Sequence, residues 1–390
     1  MIVAFTKDWN DVPTCTTHVL REMGKSMPVL WIESIGTRKP QLHNPGDLRR
    51  VIQKLMTSMS RAVQKENHVR VLSPTVVPNA RSRVASRLNR FLLGKSISRE
   101  MRSMAGDEHD SAVEYWCFVP NAVDFLPVSS STQGRAKVIY YCVDDWSRFA
   151  GLDTEWLAAK EEELLIRADV VFTPAKNLEK KCRAIAGDRV HCISHGVAYD
   201  KFSQALQDNA GIPSGMAGID NPIIGFYGNI YPWIDFDLLY ELANSRPDWS
   251  FVMIGERFCD VTRFDRLLNV HFTGRREHQD LPGYCKCFDV AIIPYDASNP
   301  RMTTVNPVKT KELLAAGVPI AASDIPELRG LGDDVLTCSG VDSWLEAIEL
   351  QMRRTDQESI SARMKGEDWS EKVKKMRAIV DSQGSEKNAE

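Results

Sequence analysis

Residues 306–327 read NPVKTKELLAAGVPIAASDIPE, and this stretch decides the fold. A helix-like run carrying Lys309 and Glu312 gives way to Ala-Ala-Gly, then to Pro319, then to a short apolar strand. Short apolar runs that alternate with helical segments are the pattern of a parallel sheet covered by helices. Lys309 and Glu312 stand three apart, so they share one face near the start of their helix.

The same alternation extends outward in both directions. Apolar runs at 223–227, 250–254, 270–273 and 290–294 precede the segment, and runs at 319–322 and 335–337 complete it. From 207 to 222 the chain is rich in Gly, Pro, Asp and Asn without apolar periodicity, the composition of a connection. Earlier runs lie at 2–6, 28–33, 69–72, 115–119, 138–143, 170–173 and 190–193. The expected organisation is therefore a first domain at 1–200, with its sheet ending near His195-Gly196, and a connecting region at 201–222. A second domain is expected at 223–368, and a terminal helix and tail at 369–390 that returns to the first.

A chain of 390 residues, 43% of them apolar, exceeds one ordinary core and suits two. Its formal net charge of −3 excludes the global basic surface that non-specific nucleic-acid binding needs. Nine cysteines, odd in number and scattered through apolar stretches, read as thiols of a reducing compartment. Cys285 and Cys287 lack a second Cys or His pair at zinc-site spacing. No apolar stretch approaches the ~18–20 residues that span a bilayer, and no charged n-region precedes the first apolar run. A cytoplasmic protein is expected.

One segment departs from this composition. Residues 81–103, RSRVASRLNRFLLGKSISREMRS, carry seven basic residues against Glu100 alone and include Phe91, Leu92 and Leu93. Such a basic amphipathic helix either lies peripherally on an anionic membrane surface, at the inner face of the cytoplasmic membrane, or packs its apolar side on the core beneath a solvated basic face.

A lysine near a helix start suits a diphosphate, because the unpaired N–H groups and the helix dipole favour anions there. A carboxylate one turn on can accept hydrogen bonds from ribose hydroxyls. The plain alternative is a surface Lys/Glu pair contributing a few tenths of a kcal/mol, roughly. Asp144 and Asp145 follow the run at 138–143, at the carboxyl end of a strand, where ligands gather in open α/β sheets. Asp144 reads as a helix cap, and Asp145 as a catalytic candidate, a general base or an acceptor-positioning group. His195 reads as a histidine packed at a hinge. The polar loop that holds Asp8, Trp9 and Asn10, with Thr14 and Thr17 just beyond it, is expected to face an acceptor. No G-x-S-x-G elbow and no phosphate-binding G-x-x-x-x-G-K-[ST] loop is present, and the adjacent pair Asp144-Asp145 does not have the D-x-D spacing of a metal-dependent site. No obligatory metal or other cofactor is expected.

The run PVKTKELLAAGVPIAASDIPEL resembles the donor-site signature of GT-B nucleotide-sugar glycosyltransferases, particularly family 4 and its relatives in bacterial teichuronic-acid and exopolysaccharide synthesis. Phe226-Tyr227-Gly228-Asn229 with Asp235-Phe236-Asp237, Phe272-Thr273-Gly274-Arg275-Arg276 with Leu281-Pro282, and Phe288-Asp289-Val290 with Ile293-Pro294-Tyr295 resemble that family's other donor-domain landmarks. The resemblance implies an α/β GT-B fold, two Rossmann-like parallel-sheet domains facing a cleft. It implies transfer of a sugar from a nucleoside-diphosphate donor to a glycan or lipid-linked acceptor in cell-surface polysaccharide synthesis, with retention favoured. Glu312 then binds ribose, Lys309 contacts the diphosphate, Gly228 and Asn229 form a phosphate-approaching loop, and Arg275 or Arg276 supplies a second cation.

One position departs from the family pattern. The family often carries a second glutamate ahead of the ribose-binding one and separated from it by seven residues, and here Thr304 occupies that place. Thr303, Thr304, Asn306 or backbone N–H groups would have to read the donor sugar instead. An epimerase on the same fold, or a catalytically silent glycan-binding protein, are the alternatives.

Overall fold

The computed structural model describes residues 1–35, 61–74, 83–105, 112–127, 136–149, 153–207 and 212–386. Contacts divide the chain into two units, one of Met1–Ser194 with Val373–Glu390 and one of His195–Lys372.

In the first unit, strands β1 (Ile2–Phe5), β2 (Val29–Ile32), β3 (Val63–Glu66), β4 (Val69–Leu72), β5 (Val113–Cys117), β6 (Ala136–Tyr141), β7 (Val170–Thr173) and β8 (Val190–Cys192) form one sheet. Its order is β3-β4-β2-β1-β5-β6-β7-β8. Strands β1, β2 and β7 are buried along their whole length. Strands covered on both faces show continuous apolar runs rather than alternation, which is why the sequence betrays them. β3 is the exception: every residue is exposed, and it runs antiparallel to β4. The helix Lys176–Ala186 buries Leu178, Cys182 and Ala186, one residue per turn, against this core. The basic segment forms one helix, Arg83–Ala105; Arg81 and Ser82 lie outside the described residues.

The second unit restarts the pattern with β9 (Ile223–Tyr227), β10 (Ser250–Ile254), β11 (Val270–Gly274), β12 (Val290–Ile293), β13 (Ile320–Ser323) and β14 (Val335–Cys338). Their order is β11-β10-β9-β12-β13-β14, all parallel. Counted within the unit this is 3-2-1-4-5-6, the Rossmann order, whose switch point lies between β9 and β12.

The second unit begins at His195 because Val197 bridges Asp368 and donates its N–H to the Glu367 carbonyl at 3.0 Å. Residues 201–222, read as a connection, contribute Phe202, Ala205 and Met216 to the second unit's core; 208–211 lie outside the described residues. The last helix, Trp369–Glu386, starts in the second unit and continues in the first. There Val373, Met376 and Val380 are buried, Arg377 pairs with Glu114 of β5, and Lys137 of β6 donates to the Val380 carbonyl. No helix among the described residues is long and apolar enough to cross a membrane.

Candidate functional site

The carboxyl end of the second unit's sheet gathers most of the residues that the sequence singled out. β9 ends at Tyr227 and leads into Gly228 and Asn229, both half-buried. The backbone here is tightly packed: Gly228 donates its N–H to the Ile254 carbonyl at 2.8 Å, and Gly255 donates to the Gly274 carbonyl at 3.1 Å. A Cβ on Gly255 would lie 2.0 Å from the Gly228 carbonyl oxygen, closer than any side chain can stand. Gly255→Ala is therefore expected to push the β9 loop aside and to lower stability by about 1–3 kcal/mol. A shift of the denaturant midpoint would measure this, and an unmoved midpoint would contradict the close approach.

Gly228 serves the site directly. Its φ is +132°, and a Cβ there would sit 2.3 Å from the Lys309 Nζ, so the ammonium occupies the space a side chain would fill. Lys309 Nζ also lies 4.0 Å above the Phe226 ring and 5.5 Å from that of Tyr295, contacts that attract a cation to the ring faces. Two residues that sequence assigned separately to one anion thus meet. Lys309 stands in the first turn of the helix Val308–Ala315, whose N-cap residue is Pro307 and whose N-terminus has no side-chain cap. The first N–H groups of a helix lack intrahelical acceptors. Asn306 is half-buried just ahead of it.

Glu312 lies one turn further, 4% exposed. The Tyr227 hydroxyl donates to its Oε2 at 2.7 Å, and His278 Nε2 stands 2.8 Å from its Oε1. His278 Nδ1 is in turn 2.7 Å from Lys201 Nζ. An ammonium can only donate, so Nδ1 accepts and the Nε2 proton points at Glu312. The carboxylate is held from two sides in one orientation. Burial, reinforced by Glu312, pushes the Tyr227 phenol well above its ordinary value. Burial lowers the Lys201 ammonium, with Glu312 and Asp280 opposing it. Tyr227 appeared in the sequence only as part of a landmark, and His278 and Lys201 went unnoticed.

The arginines after β11 part company. Arg275 is exposed, with only a loose 3.8 Å pairing to Glu277. Arg276 is half-buried, with its guanidinium 5.6 Å from the Tyr284 ring centre. Its Nε is buried without a hydrogen-bond partner among the described residues.

Thr304 turns inward. It is 6% exposed, and its hydroxyl donates to the Arg301 carbonyl at 3.2 Å, closing the short turn Pro300–Thr303. The Thr303 hydroxyl donates to the Pro300 carbonyl at 2.8 Å.

Asp145 lies in the first unit, 4% exposed, at the head of the short helix Trp146–Arg148. Its Oδ1 accepts from the Ser147 hydroxyl at 2.6 Å and from Lys181 Nζ at 2.7 Å, and its Oδ2 from Arg148 Nε at 2.9 Å. Lys181 also reaches Glu161 at 2.8 Å, and the Tyr140 hydroxyl donates to the same carboxylate at 2.7 Å. Burial would raise the Asp145 carboxyl, but hydrogen bonds from Lys181, Ser147 and Arg148 outweigh it and hold the group below its ordinary value. The cap reading given to Asp144 thus describes Asp145 in the structure.

Residues 221–353 match the family described as glycosyl transferases group 1. The second unit carries a glycosyl transferases group 1 domain. Across 220 residues the chain is 33% identical to the putative teichuronic acid biosynthesis glycosyltransferase TuaH of Bacillus subtilis (strain 168), a match covering 52% of this chain and 54% of TuaH. The chain thus spans about half the length of that relative. The Anabaena protein Alr3699/HepE, solved with UDP and glucose, superposes with a TM-score of 0.66 at 14% identity, over 97% of this chain and 99% of that one. Sucrose-phosphate synthase from Thermosynechococcus elongatus superposes with a TM-score of 0.62 at 14% identity, over 100% and 98%. These likenesses extend beyond the group 1 domain to both units, and the fold is GT-B.

Proposed function

We propose that the protein transfers a sugar from a nucleoside-diphosphate donor, held by the group 1 domain, to a glycan or lipid-linked acceptor in cell-surface polysaccharide synthesis. The observation that carries this reading is the pairing of an oriented, buried Glu312 with the Lys309 ammonium seated against Gly228. Glu312 takes the ribose hydroxyls. Lys309, the uncapped helix N-terminus and Arg276 meet the diphosphate, whose charge grows as the glycosidic bond breaks. Fixed cations and N–H groups aimed at that charge lower the barrier without reorganising. They supply the positive charge without a metal, and chelation by EDTA is expected to leave turnover unchanged.

Retention fits this arrangement. Residues 299–306 contain no carboxylate to act as a nucleophile, so the departing phosphate would take the acceptor's proton on the same face. Asp145 acts by holding its loop, because a base there would first have to release Lys181 and Arg148. A second reading, a silent glycan-binding protein, is favoured by Thr304, whose hydroxyl is committed to its own turn.

A thermal-shift screen against UDP, GDP, ADP and dTDP, followed by turnover with the matching sugar nucleotides, tests the proposal. One nucleotide at ~100 times its dissociation constant should stabilise the protein by about 2.7 kcal/mol. Lys309→Met should remove most of that gain. If no nucleotide shifts unfolding at millimolar concentration, the donor site is refuted. Binding without turnover of any donor would establish the silent reading, and a rearranged donor without acceptor would indicate an epimerase.

A further inference from the structure

The helix Arg83–Ala105 of the first unit has two unlike faces. Ala85, Asn89, Leu93, Ile97 and Glu100 are buried and set its inner side. On the other side Val84, Leu88, Phe91 and Leu92 are 77%, 45%, 57% and 37% exposed. At spacings of i, i+4, i+7 and i+8 they form one outward stripe. An ordinary surface helix would bury that stripe; here only Leu93 of the apolar cluster Phe91-Leu92-Leu93 reaches the core.

Cations continue the same face. Arg87 flanks the stripe, and Lys95 extends it by one turn, with its Nζ 4.3 Å above the Phe91 ring. Arg99 and Arg102 follow at helical spacing. The helix has one acid, Glu100, which is turned inward at 3% exposure and paired with Arg99 at 3.0 Å. The outward face therefore has an apolar N-terminal half, a cationic C-terminal half and no carboxylate. Long basic side chains beside exposed apolar ones can keep their charges at headgroup level while the apolar groups enter the acyl boundary.

We propose that this face docks the protein onto an anionic lipid bilayer, with Val84, Leu88, Phe91 and Leu92 inserted and Arg87, Lys95 and Arg102 against the lipid phosphates. The helix lies in the interface rather than across it, since it is not apolar enough to span. The inference goes beyond the donor chemistry and needs none of it.

The test is flotation of the 390-residue chain with vesicles of phosphatidylcholine alone or mixed with phosphatidylglycerol, without nucleotide. Binding is expected on the anionic vesicles and should fall steeply with added salt. Each cation removed from the surface should weaken binding about fivefold, so Arg87→Glu with Lys95→Glu should cost roughly 25-fold or more. Leu88→Ser with Phe91→Ser should also weaken it, with thermal unfolding unmoved because both side chains are exposed in the native protein. Equal binding to both vesicle types, or binding unchanged in both variants, would overturn the proposal. So would a wild-type dimer that Phe91→Ser renders monomeric, which would make the face a self-association surface. All these variants should keep any nucleotide-induced thermal shift, and Glu312→Ala should float like the wild type, so the two proposals fail separately.

Discussion

Glu312→Ala is expected to lower kcat/KM with the preferred sugar nucleotide by about 10²–10³, or roughly 3–4 kcal/mol of transition-state stabilisation. Hydrogen bonds to a charged group contribute about 1.5–3 kcal/mol each, and the reading gives Glu312 both ribose hydroxyls. The same change strands the Tyr227 hydroxyl and the His278 N–H in a buried site. Leaving buried donors unsatisfied costs about 1–3 kcal/mol apiece, so the fold should weaken measurably as well. Tyr227→Phe separates the two effects, because it removes one orienting contact and leaves the carboxylate in place. Its activity should fall about tenfold, the equivalent of one weak hydrogen bond. Steady-state kinetics together with denaturant midpoints would read both. A Glu312→Ala enzyme with unchanged KM and kcat would remove the ribose role.

Lys181→Met should produce the largest loss of stability. Lys181 bridges Asp145 and Glu161, two carboxylates that are 4% and 3% exposed. Removing the cation leaves both in a poorly hydrated site, and breaking a buried pair costs about 3–5 kcal/mol. The ammonium is itself a third exposed, which places the expected loss near ~3 kcal/mol, the lower end. The pH dependence follows from the shifts. Burial lowers the Lys181 pKa, but Glu161 and Asp145 outweigh this and raise it above its ordinary value of 10.5. Its stabilising share is therefore complete below that value and is lost as pH rises through the folded one. The Asp145 pKa is depressed from 3.8, so its share is present above that value and is lost as pH falls through the folded one. Wild type and Lys181→Met should differ most between these limits and converge toward both extremes. Parallel stability profiles across the whole range would contradict the bridge.

The parts of the fold legible in the sequence were those where burial is complete. Strands such as VLWI and VAII have every residue buried and announce themselves as apolar runs. VQKE at β3 carries no such pattern, since it is held by hydrogen bonds to β4 with all its side chains in solvent. The site divides in the same way. Lys309 and Glu312 were legible because helical spacing is local. Tyr227 and His278 were not, because they meet Glu312 across 85 and 34 residues and only the folded sheet brings them together. Asp145 was read for chemistry because its strand-end position is visible, whereas the Lys181 that occupies it lies 36 residues away. Thr304 could be recognised as a departure, but its inward hydroxyl belongs to a turn that no spacing rule reveals.

The closing helix, Trp369–Glu386, bears on how the protein is made. Domains generally fold as units, N-terminal first, during synthesis. Here the sequence of the second unit is complete at Lys372, while the first unit still lacks Val373, Met376, Arg377 and Val380. A nascent chain halted after residue 194 would present Glu114 without Arg377 and the Lys137 ammonium without its carbonyl. The half that emerges first from the ribosome is thus the last to be finished, and a fragment cut at the unit boundary is an incomplete domain rather than a small one.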